Sequence, residues 1–289
     1  DEALEKGVLF SSANSINIGR LLPQVVYYVW IWLSLLRSGS IGSRESFNVV
    51  VPTGNFGNIL AAWIAKKIGT PIGQMICASN ENKVLADFFE TGEYNINREF
   101  HLTESPSMDI LISSNLERLL YDLSECDDNE IIRLMQDLNT KGQYKVSDSM
   151  SKRIQSMFSA GWCDDLLTAK TIKDTFDCYG YLCDTHTAVA INVYEEYRKQ
   201  TDDKTPTVIV STANPYKFSD NVLQALGGNV KAEDEFNKMQ KSYSKVFFRI
   251  FERHGINCFN MGRLHGKYEV IAAGKPVKDF KKLDEPLKL

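Results

Sequence analysis

The sequence predicts an α/β protein whose mostly parallel, twisted sheet is flanked by helices. Three observations carry that prediction. Residues Ser46 to Thr53 read SFNVVVPT, and a continuous valine run suits a strand buried on both faces. A glycine loop follows, Gly54-Asn55-Phe56-Gly57-Asn58, and then a helical stretch from Ile59 to Ile68 closed by Gly69. Pro71 to Ala78 reads as a second strand, so the unit is a strand–loop–helix–strand crossover, which implies parallel pairing. Thr207 to Ser211 (TVIVS) is a third apolar strand.

The remaining elements follow in order. Leu21 to Leu36 is apolar and aromatic between Arg20 and Arg37, yet shorter than a membrane span and interrupted by Pro23 and Gln24. It reads as a core helix packed under the sheet, with Pro23 either opening or kinking it. Asn80 to Gly92 reads as a polar helix with its exit loop, and His101 to Ser114 as irregular. Asn115 to Leu138 reads as one helix, with Glu125, Asp127 and Asp128 on a solvated face or first turn. Lys145 to Ser159 reads as another helix. Asp164 to Tyr179 and Thr187 to Arg198 are amphipathic and capped. From Glu233 onward the pattern is helical and then poorly defined.

Composition narrows the class. The 289 residues are 43% hydrophobic, and 33 basic against 37 acidic side chains leave a net charge of −4. Disordered, collagen-like and disulfide-scaffold chains are excluded. A mildly acidic balance argues against a nucleic-acid partner, which needs a basic face. The six cysteines contain no C-x-x-C pair, so reduced thiols in a cytoplasmic protein are expected rather than a metal site. No interior domain boundary, signal peptide or membrane span is evident, and residues 1–289 are expected to form a single domain. The first residue is Asp1 rather than Met, so the chain is expected to belong to a longer polypeptide.

Three clusters carry chemistry. Gly54 and Gly57 allow a tight turn and close ligand approach, and the helix after them offers N–H groups and a positive dipole end. The loop is therefore a phosphate cradle or a plain strand-to-helix turn. It lacks the Gly-Lys-Ser/Thr of a Walker loop and the third glycine of the dinucleotide fingerprint. Ahead of the apolar helix, Asn14, Ser15, Asn17 and Arg20 either cap that helix or form an anion site, with the Arg fork beside the amides. Ser211 and Thr212 end a buried strand, where ligands of open α/β sheets gather; either is a cap or a hydroxyl for a heteroaromatic nitrogen. His186 precedes a helix and reads as a structural hydrogen-bond donor rather than a catalyst. His101, His254 and His265 read as surface or packing residues.

Five separated stretches occur in the order found in a known family: SSANSINIGRLLPQ (11–24), VVVPTGNFGN (49–58), SPSMDILISSNLER (105–118), DTHTAVA (184–190) and STANPYKF (211–218). On these the chain resembles the threonine synthase family, pyridoxal-phosphate enzymes of the tryptophan-synthase-like fold (fold type II). The resemblance covers residues 1–225 well and 226–289, expected to be a helical C-terminal extension, poorly. It implies that Gly54, Asn55, Phe56, Gly57 and Asn58 bind the phosphate of pyridoxal 5′-phosphate. It implies Thr212, with Ser211 as the lesser choice, beside the pyridine nitrogen. It implies Asn14, Ser15 and Arg20 at the phosphate of O-phosphohomoserine. The Schiff-base lysine of the family lies in an upstream segment of the same polypeptide, so this chain is expected to carry no catalytic residue and to be inactive alone. Lys66, Lys67 and Lys217 are poor substitutes for it. Thr185 stands where the family has proline, and Asn214 where it has histidine. Two other readings stay open. One is a sister lyase of threonine dehydratase or cysteine synthase type, and the other a non-catalytic anion- or partner-binding remnant.

Overall fold

The computed structural model describes residues 16–228, 257–260 and 270–271. Strand β1 (Phe47–Pro52) is buried along its whole length, as its valine run requires. It pairs in parallel with β2 (Ile72–Ser79) on one side and with β6 (Thr207–Ser211) on the other. Strand β5 (Phe158–Trp162) lies outside β2, also parallel. Beyond β6 come β7 (Asn257–Asn260), parallel, and β8 (Val270–Ile271), antiparallel. The sheet order is β5-β2-β1-β6-β7-β8, so the predicted mostly parallel α/β architecture is what forms.

Successive strand residues feed opposite cores. Val49 and Val51 join the larger one, together with helix α1 (Ile18–Ser38) and helix α2 (Gly57–Lys67). Val50 and Ile209 join the other, against helices α7 (Asp165–Tyr179) and α8 (Thr185–Thr201). Helix α1 buries Leu21, Val25, Tyr28, Ile31 and Leu35, one stripe at helical spacing. Its chief neighbour is α2, so it packs on a helix rather than directly under the sheet. Pro23 lies inside α1, past its first turn, so the helix lacks the N–H that would pair with the Gly19 carbonyl, and Asn17 caps the helix through Gly19 N–H at 2.8 Å. By length and apolarity α1 is the one helix among the described residues that could cross a bilayer.

Four helical expectations are corrected. Asn115 to Leu138 is not one helix but two, α4 (Leu116–Leu123) and α5 (Asp128–Lys141). Glu125 and Cys126 both take left-handed φ values, 62° and 66°, which no helix continues through. Asp127 then caps α5 by accepting from the N–H groups of Asn129 and Glu130, so part of the acidic patch is a helix start. Lys145 to Ser159 contains helix α6 (Asp148–Met157), but Phe158 and Ser159 already belong to β5. Helix α3 (Val84–Thr91) replaces the longer polar helix expected over 80–92. A short antiparallel pair, β3 (Glu93–Asn95) with β4 (Gln143–Lys145), was not foreseen; Tyr94 and Tyr144 stack across it at 5.2 Å. Of the helical extension expected over 226–289, the described residues 257–260 and 270–271 are strands rather than helix, because they pair onto the edge of the main sheet beside β6; residues 229–256, 261–269 and 272–289 lie outside the described residues.

Candidate active site at the carboxyl edge of the sheet

Strands β1 and β6 are neighbours in register, Val50 opposite Ile209. Their carboxyl ends are therefore adjacent, about 4.8 Å apart in the pairing direction. The glycine loop leaves one end and Ser211-Thr212 leaves the other. Two of the three predicted clusters thus meet at one edge of the sheet.

The glycine loop is held in a demanding shape. Phe56 has φ 63°, a left-handed value that costs a bulky residue about 1–2 kcal/mol. Its ring is buried against Phe89 and Phe158, which holds the backbone there. Helix α2 starts directly after it, at Gly57, with no side-chain cap. Its first turn presents N–H groups at the positive end of the dipole. Gly54 lies so close to a neighbouring strand of backbone that a Cβ would sit 2.5 Å from the Ser107 carbonyl oxygen. An uncapped helix start and a loop that excludes a side chain fit an anionic phosphate of a cofactor.

A second segment braces the loop from outside. Ser113 Oγ donates to Gly54 O at 2.6 Å, and Asn115 Nδ2 donates to Asn55 O at 2.8 Å. Arg118 donates to Asn115 Oδ1 through one guanidinium arm and to Ile16 O through the other, both at 2.7 Å. Arg118 thus connects the loop to the entry of α1. Tyr28 makes a further link by donating to Asn58 Oδ1. Of the third predicted cluster, Asn17 and Arg20 stand exposed at the start of α1. Asn14 and Ser15 lie outside the described residues.

The irregular 101–109 segment has its own frame. Asn80 Nδ2 donates to Thr103 Oγ1 at 2.8 Å and to Asp109 Oδ1 at 2.7 Å, and Asn82 Nδ2 reaches His101 O at 2.7 Å. Glu104 N–H donates to Asp165 Oδ1 at 3.1 Å, and Glu104 Oε2 is buried without a hydrogen-bond partner. Burial, then the nearby Asp165 carboxylate, push the Glu104 carboxyl above its ordinary range. Burial likewise raises Asp165. A raised carboxyl favours the folded state when protonated, so stability should fall as pH rises past the ordinary carboxylate range. Glu104→Gln is expected to unfold at a higher temperature than the parent at about pH 8, with the gap closing near about pH 4. Melting curves across that interval check it.

At the end of β6, Ser211 is buried and Thr212 half-buried. Behind them Asp184 caps α8, accepting from His186 N–H at 2.8 Å and Thr187 N–H at 3.3 Å. His186 is buried as the sequence reading expects of a structural residue. It does more than donate, since its Nε2 accepts the Ser107 N–H at 3.2 Å. Thr185 is the first residue of α8, a position that also suits proline, so that departure from the family pattern leaves the helix start intact. Asn214 caps the turn Pro215–Phe218 by accepting from Tyr216 N–H at 2.9 Å. Lys66 is engaged with the carbonyls of Ile72 and Gly73 at the opposite, amino end of β2. Lys67 pairs with Asp122. Lys217 is exposed, over the Phe218 ring.

Sequence reasoning missed roles for Ser113, Asn115, Arg118, Asp184 and Thr187. Asn115 and Arg118 offered a signal, because three residues apart on a helix start they face one another. The Ser107–His186 contact offered none, since it joins positions 79 apart.

Known proteins resemble this chain in sequence and in fold. A family model described as "Threonine synthase, C-terminal" matches residues 187–247. The human protein named "Threonine synthase-like 1" is 44% identical over 225 residues, which is 77% of this chain and 30% of that protein. The threonine synthase of Corynebacterium glutamicum is 35% identical over 251 residues, 85% of this chain and 51% of the relative. The crystal structure of PLP-bound threonine synthase from Brucella melitensis matches with a TM-score of 0.70 and 40% identity, covering 80% of this chain and 48% of that one. Yeast threonine synthase matches with a TM-score of 0.69 and 32% identity, covering 86% and 50%. The chain therefore spans about half or less of the length of these relatives. Over the part they share, the chain resembles the threonine synthases in sequence and in fold.

Proposed function

We propose that this chain forms the cofactor-phosphate cradle and the substrate-anion site of a pyridoxal-phosphate-dependent threonine synthase. The reaction is conversion of O-phosphohomoserine and water to L-threonine and phosphate. The observation that supports it is the Gly54–Gly57 loop: a strained, side-chain-excluding turn into an uncapped helix, beside strand-end hydroxyls. When bound, the cofactor supplies an electron sink for proton removal and phosphate loss. Its phosphate would sit on the amides at the start of α2, in reach of the Gly54–Asn58 loop. Thr212, rather than Ser211, would present a neutral hydroxyl to the ring nitrogen. Asn14, Ser15 and Arg20 would hold the substrate phosphate, with Arg20 supplying the charge-assisted contacts. The resemblance to threonine synthases implies that the lysine that joins the cofactor comes from another segment of the polypeptide; Lys66 and Lys67 are engaged elsewhere.

Arg20 separates this reading from a sister lyase, which needs no second phosphate site. In the full polypeptide, Arg20→Ala should lower kcat/KM for O-phosphohomoserine by the equivalent of roughly 1.5–3 kcal/mol. Steady-state kinetics check this, and an unchanged specificity constant would overturn the substrate-phosphate assignment.

A further inference from the structure

Helix α1 reaches the glycine loop through one buried side chain. Its inward stripe is Leu21, Val25, Tyr28, Ile31 and Leu35, so Tyr28 is the single polar member of an apolar face packed on α2. A phenol in that setting needs a hydrogen-bond partner. Tyr28 donates to Asn58 Oδ1, the bond its hydroxyl makes among the described residues. Burial pushes the phenol well above its ordinary range, so it keeps its hydrogen. With the carboxamide reversed, an NH2 would meet the phenol oxygen, and the phenol hydrogen would be left buried without an acceptor. The carbonyl arm of Asn58 therefore faces Tyr28, and the NH2 is the other arm. Asn58 is half-buried, whereas Tyr28 is fully buried. Asn58 is the second residue of α2, in the uncapped first turn whose backbone N–H groups frame the proposed phosphate position. The arm turned away from the core is thus a donor.

We propose that Tyr28 is a positioning residue that fixes the Asn58 carboxamide with its NH2 toward the cofactor phosphate. An asparagine side chain can present either a carbonyl or an NH2, and only the second attracts a phosphate anion. Tyr28 makes that choice before any ligand arrives, which removes an ordering cost from binding. Ser113 and Asn115 hold the Gly54 and Asn55 carbonyls at the other end of the same loop. Both ends of the turn are therefore held by side chains from outside it. The contact with the phosphate rests on the cofactor reading above.

The test has two arms, and the first needs no ligand. In the 289-residue chain, nitrogen relaxation of the side-chain amides should find the Asn58 carboxamide as ordered as rigid backbone, with an order parameter of about 0.85, falling below about 0.6 in Tyr28→Phe. An equally ordered amide in the variant overturns the proposal. The second arm titrates pyridoxamine 5′-phosphate, which needs no lysine to bind. Asn58→Ala should weaken it about tenfold and Tyr28→Phe about fivefold. The double variant should bind no more weakly than Asn58→Ala, because Tyr28 acts through Asn58; losses that multiply to about fiftyfold overturn the proposal. Asn58→Asp separates positioning from stability. Its carboxylate keeps an acceptor for Tyr28 and suits a helix N-terminus, so urea denaturation should find it at least as stable as the parent. It turns an oxygen rather than an NH2 to the phosphate, so binding should fall about a hundredfold. Binding within about threefold of the parent overturns the proposal. A parent chain with no saturable binding overturns the cofactor reading instead, while the relaxation arm still decides whether Tyr28 holds Asn58.

Discussion

Gly54→Ala is expected to reduce affinity for a pyridoxal phosphate analogue by roughly a hundredfold, the scale of loss that follows a misplaced binding group. The added methyl would lie 2.5 Å from Ser107 O and 3.4 Å from Met108 Cα, and both are backbone atoms. Ser107 has little freedom to retreat, because its N–H is fixed on His186 and the Met108 N–H is fixed on Ser105 O at 2.9 Å. The loop must therefore move, and it carries the start of α2 with it. Stability should fall less steeply, by about 1–3 kcal/mol, the usual range for overpacking. Fluorescence titration and urea denaturation separate the two effects. Binding preserved within about threefold, well under 1 kcal/mol, would remove the loop from the cofactor site.

Asp184→Ala is expected to be the most damaging substitution for folding, at about 3–5 kcal/mol. It strips the acceptor from two backbone N–H groups, the imidazole N–H and the Thr187 hydroxyl, all in a buried setting. Each orphaned donor costs about 1–3 kcal/mol, less whatever water enters to satisfy it. The helix cap accounts for about 1 kcal/mol of the total. Asp184→Asn keeps one carbonyl acceptor and should cost less. Equilibrium unfolding of the two variants orders them, and an asparagine variant as stable as the parent would show that the cap alone matters.

Much of this arrangement is readable in the residue order. The valine run of β1, the glycine loop and the TVIVS strand are short-range patterns, and backbone sterics and burial act on them locally. Asp164 at the start of its amphipathic helix is equally local. The break at Glu125–Cys126 was hidden because no glycine or proline marks it. Strand β5 was hidden because Phe-Ser-Ala-Gly-Trp is too short to show alternation and becomes a strand by pairing with β2. The site was legible as three separate clusters. Their junctions were not, because Arg118 to Ile16 and Ser107 to His186 are contacts that only the folded topology creates.

Arg118 has a consequence for redesign. Its guanidinium grips Asn115 and the carbonyl of Ile16 at once, so the turn after β1 and the entry to α1 are fastened to a single rigid fork. A mutational search for new substrates that re-aims the α1 entry would drag the glycine turn along. Selection on such a library should first recover changes that loosen position 118, and only afterwards changes in the contacts to the substrate itself.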